Sequence, residues 1–317
     1  MPDETPFHPG ELRAQALAGG GAGGAGIRSF MPDQHRTFFA TLPLVSLGLR
    51  DAAGSPVATV MTGPAGFITS PAPTLLRIAG ALPPGDPAAG AIRAGAEVGL
   101  LGLEFATRRR NRANGTIVAA DAGGFDLAVA QSFGNCPKYI QTRALREAPG
   151  EPGAVEALSH LDAEARALIG AADTFLVASG AGGARGGMDV SHRGGRPGFV
   201  RIEGDELAIP DFRGNRYYDT LGNFLLDPRA GLLFVDFATG DLLHLSGRVT
   251  IDWSPGEGAP QGSERVWRLR LEGAIRRRAA LPLRMELRDY APTSLETGIW
   301  SEAEAPRTAF RDLRPTG

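Results

Sequence analysis

One stretch occurs twice in this sequence, first as Gly99-Leu100-Leu101-Gly102-Leu103-Glu104-Phe105-Ala106-Thr107 and, 132 positions later, as Gly231-Leu232-Leu233-Phe234-Val235-Asp236-Phe237-Ala238-Thr239. The same shift places Gly66-Phe67 on Gly198-Phe199. Two matched tripeptides and a matched Gly-Phe pair in one register exceed what chance gives, even in a chain with 44 glycines. The repeat predicts a tandem duplication of one small domain.

Both copies consist of short apolar runs separated by Gly, Pro and Asp, which is the pattern of antiparallel hairpins. The first run, Phe38-Phe39-Ala40, is interpreted as one of these strands. Apolar residues at helical spacing predict a short helix within 7–18 and a longer one over 154–170. The predicted fold class is therefore mainly β (α+β), with a few helices and with the two copies packed as a pseudo-dimer.

The duplication also predicts the domain organisation. Residues 1–30 are assigned to an N-terminal helix and a flexible glycine-alanine linker, 31–150 to the first β domain, 151–285 to the second and 286–317 to a C-terminal extension. Because a two-fold interface can take groups from both copies, we expect a ligand cleft between them.

Composition excludes several classes of protein. The 317 residues carry a formal net charge of −2, so no bulk basic charge indicates nucleic acid, and no apolar run approaches a membrane span. The single cysteine, Cys136, excludes an intrachain disulfide and is typical of a reducing compartment. We expect a cytoplasmic protein that binds a small molecule, with no nucleic-acid or membrane partner.

The two copies differ where their chemistry matters. Opposite Ser191-His192-Arg193 the first copy has Thr59-Val60-Met61, which cannot hold an anion. Opposite the basic run 108–112 the second copy has the mostly apolar 240–244. Complementary half-sites predict one composite pocket per chain, and independent drift of two surface strands is the alternative.

Residues suited to an anion occur in the second copy. Strand alternation places Ser191 and Arg193 on one face, where a hydroxyl beside a guanidinium can bind a phosphate. The following Gly194-Gly195 can bring backbone N–H groups close to an anion, and a second turn carries Asn215-Arg216. A solvated turn is the alternative for either stretch.

The first copy supplies a second basic group. Alternation places Arg110 and Arg112 on one face of a predicted strand, and a solvated charged face is the alternative. The turn at 134–138 presents an amide, a thiol and the chain's only lysine, Lys138. Cys136 is interpreted either as a thiol activated by Lys138 or as a buried inert one.

Two other motifs do not develop into sites. The glycine-rich stretch 180–186 follows a predicted strand, but a dinucleotide loop needs a helix after it, and the stretch that follows here is strand-like. It is therefore interpreted as a hairpin loop. The five histidines show no metal-ligand spacing.

The order of these motifs resembles that of the pyridoxamine 5′-phosphate oxidase-like proteins, an FMN-binding split-barrel family. The resemblance covers roughly residues 30–280 and is carried by 189–199, 209–216, 221–223 and 134–138. It implies two tandem six-stranded antiparallel split β-barrels fused in one chain, with FMN in a cleft between them. The chain departs from the family pattern at His192, where relatives often have proline, and it lacks the substrate-binding signature for pyridoxamine phosphate.

Carried over residue by residue, the resemblance implies that the second copy binds the FMN phosphate. The first copy would then contact the cofactor from the opposite side. The phosphate side would comprise Ser191, Arg193, Asn215 and Arg216, beside Gly194 and Gly195. The opposite side would comprise Arg110, Arg112, Asn135, Lys138 and Gln141.

With these residues, the resemblance implies an FMN-dependent oxidoreductase that exchanges hydride or electrons with a small-molecule substrate, with NAD(P)H as a candidate electron donor. No side chain is identified as a catalytic acid or base. The alternatives are a non-catalytic flavin- or haem-binding protein, with His192 or His244 as the haem ligand, and a reductase that uses the deazaflavin F420. The expected assembly is a monomeric pseudo-dimer or a homodimer.

Overall fold

The computed structural model describes residues 5–301 except 149, 184 and 257. The first half contains, in chain order, α1 (Pro9–Leu17), α2 (Asp33–Thr41), β1 (Leu44–Arg50), β2 (Pro56–Thr62), β3 (Ile68–Ala72), β4 (Leu75–Ala79), β5 (Glu97–Glu104), β6 (Arg109–Asp121), β7 (Gly124–Gly134) and β8 (Thr142–Glu147). The second half contains β9 (Val155–Leu158), α3 (Ala163–Ala171), β10 (Thr174–Ala181), β11 (Gly187–Gly194), β12 (Arg201–Glu203), β13 (Glu206–Phe212), α4 (Asp219–Leu226), β14 (Arg229–Val235), β15 (Leu242–Asp252), β16 (Ser263–Arg277), β17 (Leu283–Asp289) and α5 (Pro292–Leu295).

Two large antiparallel sheets share one strand order. The first runs β2-β1-β5-β6-β7-β4-β3, and the second runs β11-β10-β14-β15-β16-β13-β12 with β9 added beside β16. Strands that the 132-residue repeat relates take the same place in each sheet. The prediction of a mainly β chain with antiparallel sheets and few helices is confirmed. Closure of each sheet into a six-stranded split barrel stays a prediction, because strand pairing gives the order of a sheet and not its closure.

Two local predictions are wrong. The stretch predicted as one helix over 154–170 divides, because β9 pairs with β16 and the helix α3 begins after its cap, Asp162, whose side chain accepts a hydrogen bond from Ala165 N at 2.8 Å. Phe38 and Phe39 lie in α2 and not in a strand, and both are buried in the core of the first sheet. A short apolar run does not distinguish a strand from a helix. The hairpin loop between β10 and β11 is confirmed.

Three large hydrophobic cores lie within the described residues. One belongs to the first sheet and contains Phe125, and one belongs to the second and contains Trp267. The third lies between the sheets, since it takes Leu101 from β5 of the first and Val190 and Leu233 from β11 and β14 of the second. The interface is therefore packed as a core, which fixes the two sheets against each other.

The contacts across this interface are reciprocal. A Cβ on Gly99 would lie 2.5 Å from the Asp189 Cα, and a Cβ on Gly231 would lie 2.8 Å from the Val57 Cα. Gly99 and Gly231 are 132 positions apart, and so are Val57 and Asp189. Such pairs are the signature of a two-fold interface, in which residue i contacts j and the counterpart of j contacts the counterpart of i. Both glycines are needed because a side chain would strike the backbone opposite.

Terminal segments join the halves further. The helix α1 packs on α4, and the strand β8 pairs with β17 in a separate two-stranded sheet. The predicted domain bounds therefore stay a prediction, because β8 belongs to the first predicted domain and β17 begins in the second. No helix among the described residues is both long and apolar enough to span a membrane.

Candidate functional site

A cleft opens where the first sheet meets the second. Its lining comes from β6 and the segment after β7 on one side, and from β11, β13, β16, α4 and the loop before α4 on the other. Of the residues that the sequence predicts, the first half contributes Arg110, Arg112, Asn135 and Lys138. The second half contributes Ser191, Arg193, Gly194, Asn215 and Arg216. The cleft thus brings together nine of the predicted site residues from both copies.

Two predicted residues, Gln141 and Gly195, do not line the cleft. Gln141 is fully buried, and its side-chain nitrogen donates to Gly195 O at 3.1 Å and to Ser294 Oγ at 3.0 Å. Its side-chain oxygen accepts from Ala291 N at 2.7 Å. Gly195 N in turn donates to Asp173 O at 3.1 Å. Gln141 therefore ties the C-terminal segment to the end of β11, behind the wall of the cleft.

The cleft carries an excess of positive charge. Six cationic side chains line it, and four carboxylates pair with them: Asp211 and Asp219 in the lining, and Asp189 and Glu264 behind it, which leaves a formal charge of about +2. Asp211 is shared between two guanidiniums, with Arg193 at 2.7 Å and Arg265 at 2.9 Å. The remaining cations are Arg110, Arg112, Lys138 and Arg216.

Two cations from the first half are not neutralised by carboxylates. Arg110 Nε donates to Cys136 O at 2.9 Å, and its Nη2 lies 3.7 Å from the Cys136 Sγ. Lys138 Nζ donates to Arg213 O at 3.4 Å. Neither has an ion pair with a carboxylate of the described residues. Burial lowers the pKa of Arg110, followed by repulsion from Arg112 and Arg193, against an opposing contribution from Cys136. An anion in the cleft would relieve that repulsion.

Arg112 and Ser191 have a different role, because the two terminal nitrogens of Arg112 and the Ser191 hydroxyl are already hydrogen-bonded within the protein. Arg112 is 2% exposed and pairs with Asp219 at 2.5 Å and with Asp189 at 3.0 Å. Its Nη2 donates to Ser191 Oγ at 2.6 Å, and that hydroxyl donates to Asp189 Oδ2 at 3.1 Å. This buried network joins β6 to β11 and α4, so its main effect is to hold the floor of the cleft in place.

Unsatisfied polar atoms gather in the cleft. Among the described residues, the buried side-chain atoms without a hydrogen-bond partner include His192 Nδ1 and Nε2, Asn135 Nδ2, Arg193 Nε, Arg216 Nε and Tyr218 Oη, and all of these residues line it. Buried polar groups nearly always have partners, so each such atom needs an explanation. A polar ligand, which would accept from these donors, supplies one.

His192 is the most buried of these residues, at 5% exposure. Neither of its ring nitrogens has a hydrogen-bond partner among the described residues. Burial lowers its pKa well below the ordinary value, and the nearby guanidiniums of Arg110 and Arg193 lower it further. The imidazole is therefore neutral at pH 7, with one donor and one acceptor nitrogen for a ligand.

The backbone around the cleft is strained. Tyr139, Arg216 and Tyr218 have φ values of 63°, 63° and 66°, which is the left-handed region that residues other than glycine rarely adopt. All three line the cleft. Strained residues that the surrounding structure holds in place are typical of ligand sites.

Positions related to the cleft by the repeat keep part of its geometry. Arg112 Nη2 donates to Val190 O at 3.0 Å, and its counterpart His244 places Nδ1 3.1 Å from Ala58 O, the counterpart of Val190. The first contact borders the cleft and the second lies on the opposite side of the interface. The two sides of the interface are therefore built alike at the backbone.

The opposite side is closed by the chain itself. The Asp86 carboxylate accepts from Thr59 Oγ1 at 2.5 Å and from Arg277 Nη1 at 2.6 Å, and all three residues are buried. Thr59 is the counterpart of Ser191 in the repeat. A guanidinium and a carboxylate of the chain thus satisfy one another where a second ligand would otherwise approach.

Several lining residues escaped the sequence analysis. Asp211 and Asp219 pair with predicted cations, and Arg265 pairs with Asp211. The three residues come from β13, α4 and β16, which are far apart in sequence. Only Asp211 stands in a motif that the sequence singles out. The repeat gives little indication of Asp219, because the residue 132 positions earlier is Pro87 and the nearest acidic residue there is its neighbour Asp86.

No family model matches the sequence, and a comparison with curated proteins gave no match. Solved structures with some likeness include the H-to-A variant of HupZ from Group A Streptococcus, with a TM-score of 0.29 and 14% identity over 37% of this chain and 98% of that one. A second is a candidate pyridoxamine 5′-phosphate oxidase from Lactobacillus delbrueckii, with a TM-score of 0.27 and 20% identity over 33% of this chain and 95% of that one. A third is a candidate 5-nitroimidazole antibiotic resistance protein from Bacteroides thetaiotaomicron, with a TM-score of 0.26 and 12% identity over 45% of this chain and 95% of that one. At these scores the likeness assigns neither a family nor an activity to this chain.

Proposed function

We propose that this chain is a flavin-binding oxidoreductase, built as two fused split barrels in a pseudo-dimer, with FMN in the cleft between them. The observation that carries the proposal is the composite cleft itself. Cations from the first half and cations from the second half face one space, with several N–H donors unpartnered. The same strand order in both sheets and the reciprocal contacts support the pseudo-dimer.

The residues present fit a phosphate-bearing cofactor. Arg193 and Arg216 each have an unpartnered Nε, and Lys138 faces them from the first half with no carboxylate within the described residues. These three are the proposed phosphate ligands, with Asn135 and Asn215 as neutral donors beside them. Arg112 and Ser191 act behind them by fixing the wall, because their own donors are engaged.

When bound, FMN supplies hydride and electron transfer, for which the chain would provide orientation and charge. Arg110 and His192, which both line the cleft, would donate to a polar edge of the ring, and Arg110 would favour a negative charge there electrostatically. Tyr139 and Phe212, with ring centroids 5.5 Å apart, form an aromatic wall that keeps water from one side. NAD(P)H remains the proposed electron donor.

We further propose one FMN per chain, because the position related by the repeat is closed. Arg277 and Asp86 bury their charges against each other there, with side-chain exposures of 3% and 0%. A symmetric homodimer would have two equal sites. Here the two sides differ, because Asp86 and Arg277 pair with each other on one side, whereas Asn135, Arg193 and Arg216 keep unpartnered nitrogen atoms on the other.

Titration of the purified full chain with FMN, followed by flavin fluorescence and visible absorption, tests the proposal. The expected result is saturable binding at one FMN per chain. Arg193→Ala should weaken binding by about 1–3 kcal/mol, or roughly 5- to 150-fold, when a charged contact is lost. Arg213→Ala is the matched control, since Arg213 is exposed and its side chain does not line the cleft. Absence of any flavin binding would refute the proposal.

Oxidoreductase activity needs a separate measurement, because a chain that only stores flavin would bind FMN equally well. Oxidation of NADH or NADPH by the FMN-loaded chain, with an artificial electron acceptor, is expected above the rate given by free FMN. A rate equal to that of free FMN, together with tight binding, would favour the non-catalytic alternative. Competition by F420 for the same site would identify the deazaflavin alternative.

A haem-binding function has one specific observation in its favour. His192 is buried in the cleft with both ring nitrogens unpartnered within the described residues, and its neutral state suits a metal ligand. Haem titration should then give a Soret band that His192→Ala removes. Because several cations surround His192, FMN remains the better-supported ligand.

A further inference from the structure

The N-terminal helix α1 lies against the start of α4, beneath the cleft. The two helices approach closely at two glycines, because a Cβ on Gly222 would lie 2.6 Å from both N and Cα of Glu11, and a Cβ on Gly10 would lie 2.8 Å from Leu226 Cγ. This approach brings the Glu11 side chain to Asp219 in the first turn of α4. A residue near the start of the chain thus reaches the floor of the composite cleft.

Local hydrogen bonds fix the direction of Glu11. His8 N donates to Glu11 Oε2 at 2.8 Å, and the His8 side chain caps α1 by accepting from Gly10 N at 3.1 Å. His8 Nε2 lies 3.0 Å from Asn223 Oδ1, on α4. Glu11 is 6% exposed, and it lines one cavity together with Asp189 and Asp219. The carboxyl is therefore held between two helices and is not free to turn to solvent.

The charges around Glu11 do not balance if every acid is ionised. Three carboxyl groups, on Glu11, Asp189 and Asp219, surround one guanidinium, that of Arg112. A buried net charge of −2 is costly, so the cluster retains a proton. Asp189 and Asp219 both pair directly with Arg112, whereas Glu11 does not, so Glu11 is the site for that proton.

The pKa of Glu11 agrees with this assignment. Burial raises it to about 9, with a further contribution from the negative charge of Asp219, against an opposing hydrogen bond from His8 N. The other groups facing this place are the His8 imidazole, whose pKa burial lowers, and Glu97 and Arg185 on the far side of a neighbouring cavity. That cavity shares Asp219 with the cleft.

We propose that Glu11 is a positioning residue of the anion cleft: its neutral carboxyl donates a hydrogen bond to Asp219, leaving on Asp219 a single charge that Arg112 neutralises. The helix α1 thereby belongs to the site. When Glu11 loses its proton, a second negative charge stands behind Asp219 and repels an anion in the cleft. The inference rests on the proposed function only for the identity of the anion.

The FMN dissociation constant between pH 7 and pH 10 tests this for the full-length wild type, Glu11→Gln and Glu11→Ala. Gln can donate to Asp219 and accept from His8 N as a neutral Glu does, so Glu11→Gln should match the wild type within about twofold at pH 7. Above pH 9 the wild type should weaken by about tenfold more than Glu11→Gln, as expected for a charge added a few ångströms behind the site. Glu11→Ala, without the donor, should bind more weakly than both at pH 7.

Glu97→Gln is the matched control, because Glu97 lines the same neighbouring cavity but is exposed, and it should follow the wild type at every pH. Equal pH dependence in the wild type and Glu11→Gln would overturn the proposal. A second readout needs no ligand: the melting temperature of Glu11→Gln should rise above that of the wild type as the pH increases from 6 to 9. A constant difference would overturn the protonated Glu11 even if FMN does not bind, whereas absence of FMN binding with a widening difference would refute the proposed function alone.

Discussion

Truncation of Asp86 should destabilise the protein far more than truncation of an exposed aspartate with the same kind of ion pair. Asp86 has no exposed side-chain surface, and it accepts hydrogen bonds from Thr59 at 2.5 Å and from Arg277 at 2.6 Å. Asp86→Ala leaves the Arg277 guanidinium buried without its counter-charge. Removal of one partner of a buried pair costs about 3–5 kcal/mol. That is a large part of the roughly 5–15 kcal/mol by which a folded protein is stable.

Equilibrium unfolding in urea measures the effect, and a double variant separates the charge from the packing. Arg277→Met in the Asp86→Ala background removes the stranded charge, so the double variant should recover at least about 2 kcal/mol relative to Asp86→Ala alone. Asp33→Ala is the matched control, because Asp33 pairs with Arg36 at 2.9 Å on an exposed face and should cost about 1 kcal/mol or less. If Asp86→Ala costs no more than Asp33→Ala, or if the two changes simply add, the pair does not hold the closed side of the interface as described.

Three further outcomes are expected. Between its ordinary pKa of 4.5 and the folded-state pKa of about 9, Glu11 keeps a proton in the folded chain that the unfolded chain releases. The free energy of unfolding of the wild type should therefore fall as the pH rises, by at most about 1.4 kcal/mol per pH unit. Urea unfolding at several pH values should show that Glu11→Gln lacks this slope. His192→Phe should leave the unfolding midpoint near that of the wild type, because it removes two unpartnered nitrogens, but should weaken FMN by about tenfold if the imidazole contacts the ligand; unchanged FMN affinity would remove His192 from the site. Gly231→Val should disrupt the interface between the sheets, since its side chain would strike the backbone of Pro56 and Val57. Gly204→Val is the control, because Gly204 lies in an open turn and a side chain there would strain only its own loop. An equal loss of melting temperature in the two variants would contradict the reciprocal packing.

The repeat is the feature of the fold that could be predicted best from the sequence. A shift of 132 positions relates β5 to β14 and Gly99 to Gly231, and these elements occupy matching places in the two sheets. The regular alternation of short apolar runs has a direct structural cause, because each strand buries one face or both. The helices were predicted less well, since the three-residue run at Phe38 has no period, and β9 lies in the same apolar pattern that continues into α3.

The site could be predicted only in part. The complementary half-sites of the repeat predicted one pocket with cations from both copies, and the cleft contains them. It could not show that Arg112 spends its donors on Asp189 and Asp219, because those carboxylates arrive from other elements. Gln141 shows the reverse error, because it was predicted to contact the ligand. In the structure it is buried and hydrogen-bonds to Gly195 and to Ala291 in the C-terminal segment. Polar side chains reveal their partners only after the chain has folded.

Fusion of two copies explains why the two sides of the interface have separated in character. In a symmetric dimer every substitution appears on both sides, so a residue that closes one site closes the other. In a single chain, Arg277 can fill the side that contains Thr59 and His244 while Arg193 and Ser191 retain an open cleft opposite. The closed side then contributes stability through a buried ion pair that joins residue 86 to residue 277, and the open side keeps its unpartnered donors and strained backbone. The asymmetry therefore predicts that variants of the Asp86 pair act mainly on unfolding, and that variants of the cleft cations act mainly on binding.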